Sequence, residues 1–369
     1  MDIDSKFPTG NIILERIEGD DVYVKPDLRD TQGHWFYWCF RVRDAAGRKI
    51  RFHLTSENTL TDLGASASLD DGWTWKWIGL ENVSGSTFDY QFPENANDVR
   101  FSMGMPYSQR NLEEFLQKYE NNPCLKKGVL CKSGKGRDVE KIIIGNPDDN
   151  CEYRILITAR HHCCEMMDNY AIEGIIESVM EGHVISEWFM KNTQIMVIPF
   201  VDKDGVEDGD QGKNRKPHDH NRDYVPEALY NETKAIMDFV PAWIKGKTFI
   251  ALDLHCPWIR GTGNNMIFIP GSGYEKNWEE QKTFSKILEK TNGGDLPYLA
   301  EDNLPFGKEW NVGMNPGQKS SSTWTYEAGA KASFTLEIPY SVAHGNEVNQ
   351  KTAKLFGNYL AAAIKKYLE

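Results

Sequence analysis

The chain has 369 residues, of which 40% are hydrophobic and 26% charged, and its 54 acidic against 42 basic side chains give a net charge of −12. This composition excludes a largely disordered chain. The acidic balance disfavours nucleic acid and anionic membranes as partners, because both attract basic surfaces. No apolar run approaches the 18 residues that a membrane span requires, and residues 1–10 lack the basic and apolar stretches of a signal peptide. Seven cysteines, an odd number, indicate reduced thiols. We therefore expect a cytoplasmic protein without nucleic-acid or membrane partners.

The first hundred residues are rich in aromatic side chains with partly alternating patterns. The clearest segments are residues 35–42, 49–54 and 87–92, and turn-forming residues separate them. Short alternating runs between turns are typical of strands that pack as two sheets. Since the length of the chain suits two domains, we expect residues 1–108 to form an antiparallel β-sandwich domain.

From Ser108 onward the pattern changes. Leu112, Phe115, Leu116 and Tyr119 have the spacing of an amphipathic helix. Short apolar runs at 154–158, 194–199, 248–254 and 333–338 then alternate with helical patterns at 165–180, 232–244, 279–291 and 350–368. This alternation predicts an α/β domain over residues 109–369, with a mixed, largely parallel central sheet flanked by helices.

An H-x-x-E pair, His162 and Glu165, directly follows the apolar run 154–158. An imidazole and a carboxylate three residues apart at a strand-to-helix turn can bind one metal ion, although about one such pair is expected by chance in this composition. His161 is a rival ligand, but its spacing to Glu165 suits a helix interior better than a turn. Without support from elsewhere, the pair would indicate only exposed charge at the start of a helix.

That support comes from the ends of three later runs. The apolar strand 249–254 ends in His255, at the carboxyl edge where open α/β sheets bind ligands. A third ligand there would complete a His₂Glu set with one open position, the pattern of a catalytic zinc. The run 195–199 leads into a long polar loop at 202–224, whose two arginines suit carboxylate binding. Glu337 stands inside the apolar run 334–338, where a buried carboxylate needs either a partner or a chemical role.

Five motifs in this order resemble the zinc metallocarboxypeptidases of the carboxypeptidase A type. They are A-R-x-H-x-x-E from 159, D-x-D-G-V from 202, D-x-N-R from 219, D-L-H from 253 and F-T-L-E from 334. The N-terminal sandwich, with Pro106-Tyr107 leading into the first helix, is similar to the cytosolic carboxypeptidase subfamily. That subfamily includes enzymes that remove glutamate from protein tails.

The resemblance implies one zinc ion per chain and a peptide or protein C-terminus as substrate. A zinc-activated water would hydrolyse the C-terminal peptide or isopeptide bond. Carried over by position, it implies zinc ligands His162, Glu165 and His255, a terminal-carboxylate grip by Asn221 and Arg222, an acid that orients a histidine ligand at Asp219, a carbonyl-polarising Arg215 and a general base at Glu337.

The chain departs from the family pattern at three places. Asn315 stands where the mobile lid tyrosine of the pancreatic-type enzymes would fall, and Tyr326 is a possible substitute. Cys163 and Cys164 lie between two predicted ligands, and we expect their thiols to point into the core. The stretch from Arg215 to Asn221 is shorter than in the cytosolic subfamily, which makes the role of Arg215 the least secure.

Two other functions stay open at this point. An N-acyl amino-acid deacylase of the aspartoacylase type shares the ligand set, and a metal-free binding module could keep the fold. The extended sandwich and the D-x-N-R motif favour the peptidase, and zinc content would separate an enzyme from a binding module. Side-chain preference is not determined by these motifs; Lys319 and Lys331 are candidates for a basic pocket.

Overall fold

The structure is a computed structural model that describes residues 1–148, 150–181 and 184–369. Its first part consists of short strands. They are β1 Asp2–Asp4, β2 Ile13–Glu18, β3 Asp21–Lys25, β4 Cys39–Arg43, β5 Lys49–Leu54, β6 Ser66–Ser68, β7 Lys76–Trp77, β8 Val83–Ser84, β9 Thr87–Gln91 and β10 Asp98–Ser102. Among the helices of the described residues, none combines the length and apolarity needed to cross a bilayer.

These strands form two five-stranded sheets with orders β1-β4-β10-β6-β7 and β2-β3-β5-β9-β8. Buried rings from the two sheets meet between them: Phe101 of β10 lies 5.1 Å from Phe52 of β5 and 5.6 Å from Phe88 of β9, centroid to centroid. Aromatic pairs at this distance add to the burial of apolar area. The predicted sandwich is therefore confirmed, with the difference that β3 and β5 pair in parallel.

The second part alternates strands and helices. It contains α1 Gln109–Gln117, β11 Leu125–Lys132, β12 Asp138–Gly145, β13 Tyr153–Ala159, α2 Met167–Met180, α3 Val184–Asn192, β14 Thr193–Ile198, α4 Lys203–Asp208, α5 Asn231–Trp243, β15 Thr248–His255, α6 Glu275–Thr291, α7 Ser321–Glu327, β16 Ala332–Glu337, β17 Val342–Ala343, β18 Asn346–Glu347 and α8 Gln350–Leu368. Short 3-10 helices lie at Leu80–Asn82, His220–Arg222 and Ala300–Asp302.

The central sheet has the order β11-β12-β14-β13-β15-β16. The pairs β13–β14, β13–β15 and β15–β16 are parallel, and the pairs involving β12 are antiparallel. This confirms the predicted mixed, largely parallel sheet. Strands β11 and β12, which the sequence analysis did not predict, supply its antiparallel edge.

Helices cover both faces of this sheet. Alternate residues of β15 belong to different clusters: Ile250 and Leu252 pack with α2, α6 and α8, whereas Phe249 and Ala251 pack with α5. Strands buried on both faces read as continuous apolar runs, which explains the sequence pattern.

Helices α2 and α8 approach closely because each has a glycine where it meets the backbone of the other helix. A Cβ added at Gly174 would lie 1.9 Å from the carbonyl oxygen of Lys354, and one at Gly357 would lie 2.0 Å from that of Ala171. Both positions therefore require glycine. This packing fixes α2, whose N-terminus follows the H-x-x-E pair.

The predicted boundary at residue 108 falls between the end of β10 and the start of α1. One cluster of buried apolar residues nevertheless runs through both parts, from Phe40 and Phe101 to Ile155 and Phe356. The division into domains 1–108 and 109–369 stays a prediction.

Candidate active site

Three predicted metal ligands converge at the carboxyl edge of the central sheet. The Nδ1 atoms of His162 and His255 lie 3.2 Å apart, His255 Nδ1 lies 2.8 Å from Oε2 of Glu165, and His162 Nδ1 lies 3.1 Å from Oε1 of Glu165. All three residues are buried. Ligand atoms on one tetrahedral zinc, at bond lengths of about 2.0–2.1 Å, are about 3.3 Å apart. The donor types and their spacing therefore fit a zinc ion.

Regular structure brings these groups together. His162 and Glu165 lie in the turn between β13 and α2, and His255 is the last residue of β15. Parallel pairing places Ala159, at the end of β13, beside Leu254. Consequently the turn after β13 and the end of β15 must share one edge of the sheet.

Asp253 contacts the ring nitrogen of His255 that faces away from the other candidate ligands. Its Oδ2 lies 2.8 Å from His255 Nε2, and its Oδ1 lies 2.8 Å from His161 Nδ1 and accepts a hydrogen bond from Thr158 Oγ1 at 2.8 Å. A carboxylate on the outer ring nitrogen fixes the tautomer that leaves the other nitrogen free for a metal. His161 is thereby occupied with Asp253 and Tyr224, whose hydroxyl lies 2.6 Å from its Nε2. Asp253 could have been recognised in the sequence, because residues two apart on a strand share a face.

The neighbours of two predicted ligands, Glu165 and His255, shift the pKa values of their side chains in opposite directions. Burial alone would raise the pKa of Glu165, but the neighbouring His162, Lys213 and His255 hold it well below its usual value. Burial would likewise lower the pKa of His255, but the carboxylates of Asp253 and Glu165 raise it well above the ordinary value. A metal ion at His255 Nδ1 requires that nitrogen without its proton. It would lie beside Glu165, while Asp253 stays on the outer Nε2.

Glu337 lies next to this cluster. In the parallel pairing of β15 and β16 it is the register partner of His255. It is buried, and burial together with the Glu165 carboxylate raises its pKa above the usual value, although His255 and Lys213 oppose the shift. A carboxyl group with a raised pKa is suited to accept and return a proton near neutral pH.

In the structure the polar loop ends at Asp223, because Tyr224 packs in the core. The predicted carboxylate-binding residues lie on the 3-10 helix near the end of this 202–223 loop. The Nδ2 of Asn221 lies 3.2 Å from His255 Nε2, and its Oδ1 accepts a hydrogen bond from the backbone N–H of Ser321 at 3.0 Å. Arg222 donates to the carbonyl oxygen of Asn221 at 3.0 Å. Asp219 Oδ1 lies 3.7 Å from His162 Nε2, the side of that ring away from Glu165. Burial would raise the pKa of Asp219, but His162 and Arg222 hold it well below its usual value.

Arg215 occupies a different environment. Its Nε lies 3.0 Å from Asp30, its Nη2 lies 3.1 Å from Asp210, and its Nη1 contacts Asp202. Burial and the nearby Asp30 raise the pKa of Asp210 to about 6, a sign of crowded negative charge. The structure thus ties Arg215 to three acids, and its assignment as the carbonyl-polarising group stays a prediction.

These groups face one cavity of about 1060 Å³. Its wall includes the three candidate ligands, the predicted base, the carboxylate-binding pair and two further basic residues of the loop, namely His162, Glu165, His255, Glu337, Asn221, Arg222, Lys213 and Arg215. Trp35, from the N-terminal part, and Trp258 line it and pack together at 5.3 Å between centroids. The cavity is large enough for a peptide end.

The sequence analysis missed Lys213, whose Nζ lies 2.5 Å from Oε1 of Glu165. Its only signal was membership of the polar loop, which it shares with Arg215. Lys319 lines the cavity but its Nζ pairs with Glu327 at 2.5 Å, and Lys331 lies over the ring of Tyr367. These two lysines therefore give the cavity little unpaired positive charge.

The departures from the family pattern are also placed. Cys163 and Cys164 are buried, with the Cys163 thiol donating to the carbonyl oxygen of Asp210 at 3.0 Å. Asn315 is exposed and lines the cavity, whereas Tyr326 packs on Tyr274 at 5.0 Å between centroids. A lid residue at either position stays a prediction.

Comparisons with known proteins agree with this geometry. Residues 112–231 match the zinc carboxypeptidase family, a segment that holds the first three motifs but neither His255 nor Glu337. Cytosolic carboxypeptidase 3 of Bos taurus is 28% identical over 99% of this chain. The alignment covers 40% of that relative, so the chain spans about two fifths of its length.

Solved structures show the same fold. A metallo-carboxypeptidase from Burkholderia cenocepacia has a TM-score of 0.79 and 20% identity, and covers 100% of this chain and 98% of its own. A metallo-carboxypeptidase from Pseudomonas aeruginosa, in complex with (2-guanidinoethylmercapto)succinic acid, has a TM-score of 0.76 and 19% identity, with 100% and 99% covered. Residues 112–231 therefore match the zinc carboxypeptidase family, the whole chain has the fold of solved metallo-carboxypeptidases, and the relatives that it resembles in sequence are named cytosolic carboxypeptidases.

Proposed function

We propose that this protein is a zinc-dependent metallocarboxypeptidase that hydrolyses the bond before a free C-terminal carboxylate. The observation that carries the proposal is the convergence of a His₂Glu donor set, a buried carboxylate and an Asn-Arg pair on one cavity. The substrate would be a peptide or protein C-terminus, joined by a peptide or isopeptide bond. The curated relatives, which are similar in sequence, are named for this activity.

His162, Glu165 and His255 would hold one zinc ion per chain. When bound, zinc supplies Lewis-acid chemistry and makes a water acidic enough to ionise near neutral pH. Asp253 would hold the ring of His255 in its ligating orientation, and Asp219 would do the same for His162. This fits the donor set better than the alternative group His161, Asp253 and His255, because His161 already contacts Tyr224.

Arg222 and Asn221 would select the end of the chain. A guanidinium can donate two parallel hydrogen bonds to a carboxylate, and the Asn221 amide lies on the same cavity wall. A substrate without a free carboxylate would leave Arg222 unpaired. This contact would set exopeptidase register.

Glu337 would move the proton. It would accept one from the attacking water and give it to the leaving amine, so that one group serves both halves of the reaction. Its burial and its register position beside His255 support this role.

The test is release of the C-terminal residue from a peptide library that varies only its last residue. Each peptide is offered with a free or an amidated end, to zinc-loaded and chelated protein. We expect zinc-dependent release from free ends. Arg222→Ala should weaken cleavage of free ends and leave the residual cleavage of amidated ends unchanged. Equal losses on both peptides would contradict the exopeptidase assignment.

His162→Ala tests the ligand set. Removing one imidazole should cost most of the bound zinc, measured by elemental analysis after dialysis. The exposed His34→Ala is the matched control and should keep a full equivalent. A full equivalent of zinc in His162→Ala would show that the ligand assignment is wrong.

Two further measurements test the alternative functions. Assaying N-acyl amino acids alongside peptides tests the deacylase alternative, and protein that binds no zinc would favour a binding module.

A cytoplasmic location belongs to the same proposal. The seven cysteines, all within the described ranges, carry free thiols, and the homologues are named cytosolic.

A further inference from the structure

Lys213, Arg215 and Arg222 of the 202–223 loop line the cavity, and Arg222 is already assigned to the terminal carboxylate. The charges of the other two, Lys213 and Arg215, are balanced differently. Arg215 contacts Asp30, Asp202 and Asp210, and of these Asp210 also pairs with Arg29. Carboxylates therefore balance the charge of the guanidinium. Its side chain is 13% exposed. A charge so compensated contributes little to stabilising a new negative charge on a substrate.

Lys213 faces the candidate metal ligands instead. Its Nζ lies 2.5 Å from Oε1 of Glu165 and donates to the carbonyl oxygen of Cys256 at 3.4 Å. The side chain is 14% exposed and lines the cavity beside Glu337. An ammonium has three N–H donors. These two contacts leave one donor for a group in the cavity.

The loop is shaped to deliver Lys213 to this place. Gly212 has a φ of +76°, and a Cβ there would lie 2.3 Å from the backbone nitrogen of Cys163. Only glycine allows that approach, which brings the next residue against the turn carrying His162 and Glu165. The N–H of Gly212 donates to Asp30 at 2.9 Å, and the Thr31 hydroxyl donates to the carbonyl oxygen of Lys213.

We propose that Lys213, rather than Arg215, is the catalytic residue that donates a hydrogen bond to the scissile carbonyl oxygen and stabilises its developing negative charge. The inference rests on the proposed carboxypeptidase function. Attack by water turns the carbonyl oxygen into an oxyanion while Glu337 takes the proton of that water. When the carbon–nitrogen bond breaks, the oxyanion electrons reform the carbonyl and Glu337 returns the proton to the amine.

A purely structural role for Lys213 would have another consequence. If the ammonium only neutralised Glu165, its removal would change zinc affinity or folding rather than the chemical step. An oxyanion donor acts mainly in the transition state, so its loss lowers kcat more than it raises KM. Removal of one such donor typically costs ~10²–10³-fold in kcat.

The experiment compares Lys213→Met and Lys213→Arg with wild type, and uses the exposed Lys216→Met as the matched control on the same loop. All are zinc-loaded and measured for zinc content, thermal unfolding, kcat and KM. Binding of a phosphonate peptide, whose anionic tetrahedral oxygens mimic the transition state, is measured beside binding of the free amino-acid product.

We expect Lys213→Met to lose about 10²-fold in kcat and in phosphonate affinity, with zinc content and product binding unchanged. Lys213→Arg should recover part of the loss, and Lys216→Met should match wild type. Near-wild-type kcat in Lys213→Met, or a loss explained by missing zinc, would overturn the inference and leave the carboxypeptidase function standing. A zinc-loaded wild type that releases no C-terminal residue would overturn both.

Arg215→Lys separates the two basic residues. The lysine keeps a positive charge beside Asp30, Asp202 and Asp210, so we expect the protein to stay folded. If it lost kcat and phosphonate affinity while Lys213→Met kept them, the carbonyl-polarising role would belong to Arg215.

Discussion

The carboxyl edge of the central sheet and the 202–223 loop supply different parts of the candidate site, and they are held in place by different means. At the sheet edge, register alone sets His255 beside Glu337, and the strands carry their own hydrogen bonds. The loop has little regular structure beyond α4 and one 3-10 turn. It depends on contacts with residues far away in sequence.

Those contacts come from the N-terminal part of the chain. Asn11 donates to the carbonyl oxygen of Gly209 at 2.8 Å, and Gln211 exchanges two hydrogen bonds with the backbone of Tyr37. Asp30 accepts from the N–H groups of Gln211 and Gly212 at 3.0 and 2.9 Å. A part of the molecule for which we predict no catalytic group thus positions half of the site. The N-terminal part therefore holds the loop in position and also forms a wall of the cavity.

The largest effect is expected at the sheet edge, for Glu337→Gln. The substitution keeps the shape of the side chain and removes its ability to accept and return a proton. General acid–base catalysis typically contributes ~10²–10⁴-fold, so turnover should fall by at least that range. Steady-state kinetics on a free-ended peptide measures the loss.

Zinc content and thermal unfolding should not change in Glu337→Gln, since Glu337 is not a predicted ligand. The exposed Glu347→Gln, on β18, is the matched control. Turnover close to wild type in Glu337→Gln would remove the proposed mechanism.

The sheet edge could be predicted from the sequence, whereas most of the 202–223 loop could not. Strands β13, β15 and β16, and helix α8, were predicted to within one residue, because continuous apolar runs and the 3.6-residue period are local signals. The meeting of His162, Glu165 and His255 could then be predicted, because the carboxyl ends of parallel strands lie at one edge of the sheet.

The loop could not be predicted in this way. Nothing local in the sequence shows that Asp30 would neutralise Arg215, or that Gly212 would bring Lys213 to Glu165. Both depend on tertiary contacts between segments more than 45 residues apart. Strand β11 was missed because it is largely exposed and carries no clear apolar run. Strand β12 does carry a short apolar run, residues 142–144, which is a local signal that was not used.

An intermediate effect is expected for Asp30→Asn, which weakens the hold of the N-terminal part on the loop. The amide has one acceptor oxygen for three donors and no charge to offer Arg215. Hydrogen bonds to a charged group are worth about 1.5–3 kcal/mol. If half of one such bond is lost in the transition state, kcat/KM falls by about 4- to 13-fold. Zinc content should stay at one equivalent, because the ligands lie on the other half of the site.

Asp20→Asn is the matched control for Asp30→Asn, because Asp20 is an exposed sandwich acid whose carboxylate accepts hydrogen bonds from Arg48. Its kinetics should match wild type. If Asp30→Asn also behaved as wild type, the conclusion that the N-terminal part holds the loop in position would be wrong. If it lost zinc, the two halves of the site would not be independent.

The smallest catalytic effect is expected for Trp75→Ala, in the sandwich but away from the loop. Trp75 is 6% exposed, and its indole N–H donates to the carbonyl oxygen of Gly72 at 3.1 Å. Removing a buried tryptophan typically costs about 3–5 kcal/mol of stability, so thermal unfolding should occur at a clearly lower temperature. Turnover per folded molecule should be unchanged when measured well below that temperature, because Trp75 lies outside the cavity wall.

Trp73→Ala, at a 39% exposed neighbouring position, controls for loss of an indole and should change stability much less. A drop in turnover as large as that of Glu337→Gln, in folded Trp75→Ala, would mean that the whole sandwich, and not only the segment around Asp30, takes part in catalysis.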